Sequence, residues 1–358
     1  MRGPRLMGLS AVVSFASIWI WIVVMPMAFM DPEYASWRAK LTMLDRCDIG
    51  EAIVLGDSRA AAGILPNRLP FRATNLAIGG GEAIEAMAAL TRVLHCQDLP
   101  RLAIISIDPG HFTRPDLFWY RSVRYGFVSV HDIAALREAS RKTGDGSVYD
   151  GHRTSGLPTA LRDLEYRIQF PPLYFSSLLH GGLVVRETGN ATILAGTLAS
   201  RGQYYFGSNA GSDTVAFDGH MDSFQALPIL DHYFDTVLSA LDRHGIEALF
   251  VAMPVNDATG QQVRPAVREQ FRAYLSDYER RYPHFHVAGD LMPSWPNRLF
   301  GDTFSHLNPE GAERFSAALA QRLQDAPPRT QNEAQNGWLS DTGAAASAKV
   351  VPISKRGS

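Results

Sequence analysis

The sequence predicts an α/β fold in which a parallel sheet is covered by helices on both faces, a three-layer arrangement carrying a long insertion and preceded by an N-terminal transmembrane helix. Three observations predict it. Short, continuously apolar runs recur along the chain and alternate with stretches of helical periodicity, the pattern of buried parallel strands joined by helical crossovers. That rhythm stops between about Phe112 and Ala226, where Gly, Ser and Pro are frequent, which marks an insertion. From Leu6 to Met30 there is no charged residue, and about 22 residues of helix cross a hydrocarbon core of roughly 30 Å.

Taken in order, Arg2 and Arg5 precede the apolar run, and Asp31 and Glu33 follow it. That charge order predicts a single-pass signal anchor over residues 1–30, in the inner (cytoplasmic) membrane, with the globular part on the periplasmic, extracytoplasmic side. A cleaved signal is the alternative; its apolar region is shorter, about 7–15 residues, and ends in small residues rather than Met27, Phe29 and Met30. Ala52–Gly56 reads as the first buried strand and Arg72–Ile78 as a weaker one, followed by Gly79, Gly80 and Gly81. Ile84, Met87, Ala88, Thr91 and Leu94 then recur at helical spacing. Leu102–Ile107, Ala248–Met253 and Phe285–Ala288 read as further strands. Helices are expected at about 227–244 and 263–281, and a last one from Pro309 to Leu323, proline being tolerated in the first turn. Within the insertion, helical pieces are expected near Val130–Lys142 and Thr159–Gln169. The domain is thus expected to span 31–324, and the polar tail 325–358 to be disordered.

Composition narrows the function. The 358 residues are 46% hydrophobic and 20% charged, enough apolar content for a large core, and 34 Lys+Arg against 36 Asp+Glu leave a net charge of -2. No basic surplus marks a nucleic-acid partner. Eleven histidines and two cysteines form no metal-binding spacing, and nothing in the sequence asks for a cofactor. Cys47 and Cys96 each precede an apolar run by about six residues. They would lie near the same sheet edge, as a disulfide in an oxidising compartment or as two buried thiols.

Three features carry chemistry. Gly56-Asp57-Ser58-Arg59 closes the first strand, at the sheet end where open α/β sheets bind ligands. Asn75 leads into the glycines after the second strand, where backbone can approach a ligand closely. Asp302-Thr-Phe-Ser-His306 follows the last strand and leads into the terminal helix. A serine hydroxyl needs a base, and the base needs an orienting carboxylate, and serine, glycine loop and late Asp/His occur here in that order.

This constellation resembles the SGNH (GDSL-type) hydrolase superfamily, over about residues 50–110 and 245–323. The resemblance implies a flavodoxin-like sheet, Ser58 as nucleophile, His306 as general base, and an oxyanion hole from the N–H groups of Ser58 and Gly80. Two positions depart from the family pattern. The acid is expected three residues before the histidine, where Thr303 stands, so Asp302 at an offset of four takes that role. In place of the third-block asparagine the chain has Asp108-Pro-Gly-His111. A third donor is therefore missing, replaced by His111, or supplied by Asn256. Together with the anchor, these departures resemble the exported branch that works with membrane-bound O-acyltransferases, including alginate O-acetylation and D-alanyl transfer proteins. The implied function is serine-dependent acyl transfer, with acetyl as the expected group, to an extracytoplasmic polysaccharide, with a membrane-bound acyltransferase as partner. A carbohydrate or lipid esterase and a non-catalytic polysaccharide-binding scaffold are the rivals. Arg59, Asp108 and His111 are weaker candidates for substrate contact, and Arg59 equally for a structural ion pair. Tyr204, Tyr205 and Phe206 read as core packing of the insertion or as sugar-stacking faces, and Asp150-Gly-His152 and Asp218-Gly-His220 as loop residues.

Overall fold

The computed structural model describes residues 3–115, 117–150 and 183–325. In chain order, α1 (Gly3–Val24), α2 (Pro26–Phe29) and α3 (Pro32–Asp45) precede β1 (Ala52–Gly56), α4 (Ser58–Gly63), β2 (Ala73–Asn75), α5 (Ala83–Val93) and β3 (Leu102–Ser106). Then come α6 (Val130–Thr143), α7 (Ser147–Asp150) and α8 (Leu183–Ala199) of the insertion. The chain returns through α9 (Pro228–Arg243), β4 (Glu247–Val251), β5 (Val255–Asn256), α10 (Asp257–Gln262), α11 (Pro265–Arg281), β6 (Phe285–Ala288), β7 (Ser294–Trp295) and α12 (Pro309–Asp325).

Five strands form one parallel sheet in the order β2-β1-β3-β4-β6, and β5 and β7 form a separate parallel pair. Residues alternate between two apolar layers. Ile53, Leu55, Ala103, Ile105, Ala248 and Phe250 face a core shared with α3, α5, α9 and α11. Ala52, Val54, Leu102 and Ile104 face a smaller one closed by α4 and α12. Both faces are therefore buried, which is why these strands read as unbroken apolar runs rather than as alternating ones. The chain order reverses between β1 and β3, and the crevice outside their carboxyl ends is where such sheets place ligands. Gly56 closes β1 at φ 151°, where a Cβ would lie 1.8 Å from the Ser106 carbonyl oxygen, so only glycine lets the two strand ends stay this close.

The N-terminal expectation is corrected. The run from Leu6 to Met30 is not one helix: α1 stops at Val24, Pro26 opens α2, and Ala28, Phe29 and Met30 are buried in the larger core. The Asn190 side-chain amide of α8 donates to the carbonyls of Met27 (2.8 Å) and Met30 (3.0 Å), fastening this end of the run to the insertion. Among the described residues no helix is long and apolar enough to cross a membrane. The single-pass transmembrane anchor, and the inner-membrane placement built on it, are withdrawn. The lower boundary of the domain moves too, since residues 28–30 pack as part of it.

Of the insertion, α6 matches the helical piece expected near Val130–Lys142. The piece expected at Thr159–Gln169, His152 and the tail from 326 lie outside the described residues. Cys47 and Cys96 form a disulfide, Cα–Cα 5.6 Å, closing a loop across 49 positions. Closing such a loop removes about 4 kcal/mol of unfolded-state entropy. Reduction, or a double Cys47→Ser, Cys96→Ser substitution, is expected to lower unfolding free energy by roughly that amount in urea titrations. No change would show that the bridge is thermodynamically silent.

Candidate active site

Asp57 fixes the position of Ser58. Its Oδ1 accepts from the backbone N–H groups of Arg59 (2.9 Å) and Ala60 (3.3 Å), capping α4, while its Oδ2 accepts from the N–H of Asp108 (2.7 Å) at the end of β3. The cap makes Ser58 the first residue of α4 and ties the β1 and β3 ends together.

His306 comes from a loop pinned at both sides: Gly301 N–H donates to its carbonyl (2.8 Å), Asn308 N–H to that of Leu299 (3.0 Å), and Phe300 bridges Leu307. Asp302 Oδ1 accepts from the N–H groups of Phe304 (2.9 Å) and His306 (3.2 Å), and Ser305 takes a left-handed φ of 62°. This turn lets an acid at an offset of four face its histidine, so Asp302 Oδ2 accepts from His306 Nδ1. With Nδ1 donating, Nε2 is the accepting nitrogen, and it lies 2.6 Å from Ser58 Oγ. Burial draws the Asp302 carboxyl upward, but the hydrogen bond and charge of His306 and the two backbone N–H groups leave it below the ordinary carboxylate range. The imidazole is buried, and Phe206 of the insertion stacks on it at 4.7 Å between ring centroids.

The glycine turn faces the same space. Gly81 N–H turns back to Ile78 O (3.0 Å), and Gly80, at φ 66°, lines the cavity together with Ser58 and His306. Helix α3 backs this turn. Lys40, fully buried, donates to Ala77 O, and burial lowers its ammonium to about 7 against the pull of Glu33. Glu33 presses on Gly79, where a Cβ would meet its Oε1 at 1.7 Å, and pairs with Arg121 at 3.1 Å. Burial raises the Glu33 carboxyl, with Arg121 opposing. Asn75 locks the other side of the turn: its amide donates to Ala60 O and Ile64 O, both at 2.9 Å, and its oxygen accepts from Ala77 N–H (3.1 Å).

The cavity measures about 440 Å³ and is partly open. Besides the relay, its walls include His111, Arg114 stacked over Phe217 at 3.6 Å, and Phe304, which is 66% exposed. The structure thus brings Ser58, Asp302, His306, Gly80, Asp108 and His111 together. It does not bring Asn256. That side chain is fully buried, caps α10 by accepting from Thr259 N–H (2.9 Å), and spends its amide hydrogens on Ser212 O and Thr214 O, both at 2.9 Å. The suggestion that Asn256 supplies an oxyanion donor is corrected accordingly.

Arg59 touches the cavity wall but is committed to the protein. Its guanidinium pairs with buried Asp218, lies 3.7 Å from Asp108 and donates to Phe304 O at 3.2 Å. Burial opposes its charge, yet Asp218 and Asp108 hold it more firmly protonated than a free arginine. The structural ion pair is the alternative realised, so Arg59 is not a free anion contact. Asp108 and His111 pair at 2.9 Å, and Asp57 Oδ2 is 3.6 Å from the same imidazole nitrogen. Burial works against ionisation of both; the ion pair, with Arg59 also beside Asp108, lowers the carboxyl well below its usual range and raises the imidazole to about 9. A raised histidine contributes stability that is complete below its unfolded value near 6.5 and lost as pH rises through about 9. The stability advantage of the wild type over His111→Asn is therefore expected to shrink between pH 6.5 and 9.5 in denaturant titrations. An advantage independent of pH would contradict the pairing.

Asp57, Asp108 and His111 offer oxygen and nitrogen atoms within 4.8 Å of one another. The arrangement is poor for a cation, because Asp57 already accepts three N–H groups and the Arg59 guanidinium stands beside Asp108.

No family model matches the chain, and no curated protein matches it. The likeness to SGNH enzymes therefore remains one of motifs and their order. Sequence reasoning missed three contributors. Phe206 was visible only as part of an aromatic triplet, Asp218 only as part of a loop DGH, and the buttress from Glu33 and Lys40 gave no signal, because contacts between segments so far apart have no local pattern.

Proposed function

We propose that the protein is a serine acyl-transfer enzyme that forms an acyl ester on Ser58 and passes it to a hydroxyl acceptor. The observation that carries this reading is the hydrogen-bonded relay from Ser58 Oγ to His306 Nε2 and from His306 Nδ1 to Asp302. In the first half-reaction Ser58 Oγ attacks the ester carbonyl as its proton moves to His306 Nε2, and the carbonyl π pair moves onto oxygen, facing the Ser58 and Gly80 N–H groups. Collapse breaks the ester C–O bond, and the departing alkoxide takes the proton from His306. In the second, the acceptor hydroxyl gives its proton to His306 and attacks the acyl carbon, and Ser58 Oγ leaves with that proton.

The SGNH-like motif order supports the same chemistry; with the anchor withdrawn, the resemblance to polysaccharide O-acetylation proteins rests on the departures at Asp302 and Asp108-Pro-Gly-His111, and it makes acetyl the group and a sugar hydroxyl the acceptor in this reading. In that setting the acyl group would come from a membrane-bound acyltransferase. Exposed Phe304 beside His306 (6.1 Å between centroids) is an aromatic face of the kind that packs on sugar rings, and Phe206 shields the imidazole from water. A plain esterase would use the same residues with water as acceptor. The two are separated by supplying a chromogenic acetyl ester with and without oligosaccharides: the proposal predicts an acetyl mass increment on the sugar. Release of free acetate alone, whatever sugar is offered, would establish hydrolysis instead.

A further inference from the structure

The geometry points to His111 as the third oxyanion donor, its Nε2–H meeting the developing oxyanion beside the N–H groups of Ser58 and Gly80. This deepens the serine reading and rests on it. Four observations lead there. His111 follows β3, the strand paired directly with β1, Gly56 opposite Ser106, so the loops bearing Ser58 and His111 leave the sheet side by side. Its ring lines the cavity that Ser58, Gly80 and His306 share, and is about one-quarter exposed, at 26%. Nδ1 is turned to Asp108 Oδ2 at 2.9 Å, with Asp57 Oδ2 at 3.6 Å behind it, so Nε2 is on the far side of the ring from the carboxylates. Of the other side-chain donors lining the cavity, Arg59 is engaged on Asp218 and Phe304 O, Arg121 on Glu33, and Arg114 is stacked over Phe217 at 3.6 Å.

The protonation state then decides function. A neutral imidazole with its one proton on Nδ1, the nitrogen 2.9 Å from Asp108 Oδ2, has only a lone pair on Nε2 and cannot donate to an oxyanion; the imidazolium carries an N–H on both nitrogens. The groups facing His111 are Asp108 on its own loop, Asp57 and Arg59 around the start of α4, and Glu85 of α5; the carboxylates outweigh the guanidinium and burial. His111 is thus held charged in the neutral range and supplies a cationic donor where an asparagine would supply a neutral one. Asp108 is a positioning residue that holds the ring and its proton.

The test measures kcat and KM for a chromogenic acetyl ester from pH 6.5 to 9.5, together with the rate of labelling by a fluorophosphonate, in wild type, His111→Ala, His111→Asn and Asp108→Asn. Removing one oxyanion donor costs roughly 100- to 1,000-fold in kcat. His111→Ala is expected to show that loss with KM nearly unchanged. His111→Asn should recover part of the rate and lose the alkaline decline near pH 9 seen in wild type, and Asp108→Asn should move that decline to lower pH. Melting curves check that each variant is folded, and where His111→Ala is not, the pH profiles of His111→Asn and Asp108→Asn decide. Wild-type rates in His111→Ala, or an alkaline decline unchanged in His111→Asn, would overturn the assignment while leaving the serine reading standing. A wild type that neither turns over ester nor takes the label would remove both.

Discussion

Replacing Ser58 by alanine is expected to reduce turnover of a chromogenic acetyl ester to the uncatalysed background. Loss of the nucleophile from a complete serine relay costs on the order of 10⁶-fold in kcat. The reason is geometric. In the proposed relay Ser58 Oγ is the atom that bonds to the acyl carbon, and among the described residues it is the hydroxyl hydrogen-bonded to His306 Nε2, at 2.6 Å. His306→Ala should fall by a similar factor, and the Ser58→Ala, His306→Ala double variant no further, because the groups act as a unit. Asp302→Asn should lose roughly 10⁴-fold, since an amide no longer holds the Nδ1–H tautomer. Melting temperatures of the Ser58 variant should stay near wild type. Retained turnover in folded Ser58→Ala would show that the ester is cleaved elsewhere.

Arg59→Met is expected to produce the largest loss of stability among single substitutions at this site. Its side chain is 6% exposed, that of its partner Asp218 1%, and Asp108 lies beside it. Removing one member of a buried ion pair strands the other charge and typically costs about 3–5 kcal/mol, a large fraction of a domain's net stability of about 5–15 kcal/mol. The cost arises mainly from the abandoned Asp218, whose Oδ1 already lacks a hydrogen-bond partner. Hence Arg59→Met with Asp218→Asn should recover much of what the single variant loses, a coupling readable in a double-mutant cycle. Equal destabilisation by the single and double variants would mean that Arg59 matters through packing rather than charge. The same Asp218 anchors the insertion: by pairing with the residue next to Ser58, a loop 159 positions downstream is fixed against the rim of the cleft.

The sheet was legible because each strand is buried on both faces, so continuous apolar runs such as Leu102–Ser106 announce themselves without knowledge of the partners. The positions of Ser58 and His306 were legible for a related reason: the chemistry proposed for them needs strand-end positions, and turn residues mark strand ends. The offset of Asp302 was a warning that proved geometrically harmless, because left-handed Ser305 and the Asp302-capped turn supply the missing bend. Local reading failed where partners are remote. Arg59 and Asp218 carry no shared pattern, and Asn256 at a strand end looked like a donor although its amide is consumed by two carbonyls of the insertion. The N-terminal run misled for a different reason. Hydropathy reads Leu6–Met30 as one element, whereas Pro26 divides it: Phe29 and Met30 meet the core of the domain, and Leu9, Val12 and Ile20 of α1 are exposed.

The most direct measurement is peptide-level mass mapping after incubating folded wild-type protein with a fluorophosphonate. The account predicts one phosphonyl adduct, on the peptide and at the oxygen of Ser58, absent from His306→Ala on the same timescale. Folded protein that stays unlabelled, or carries the adduct at another serine, would contradict it.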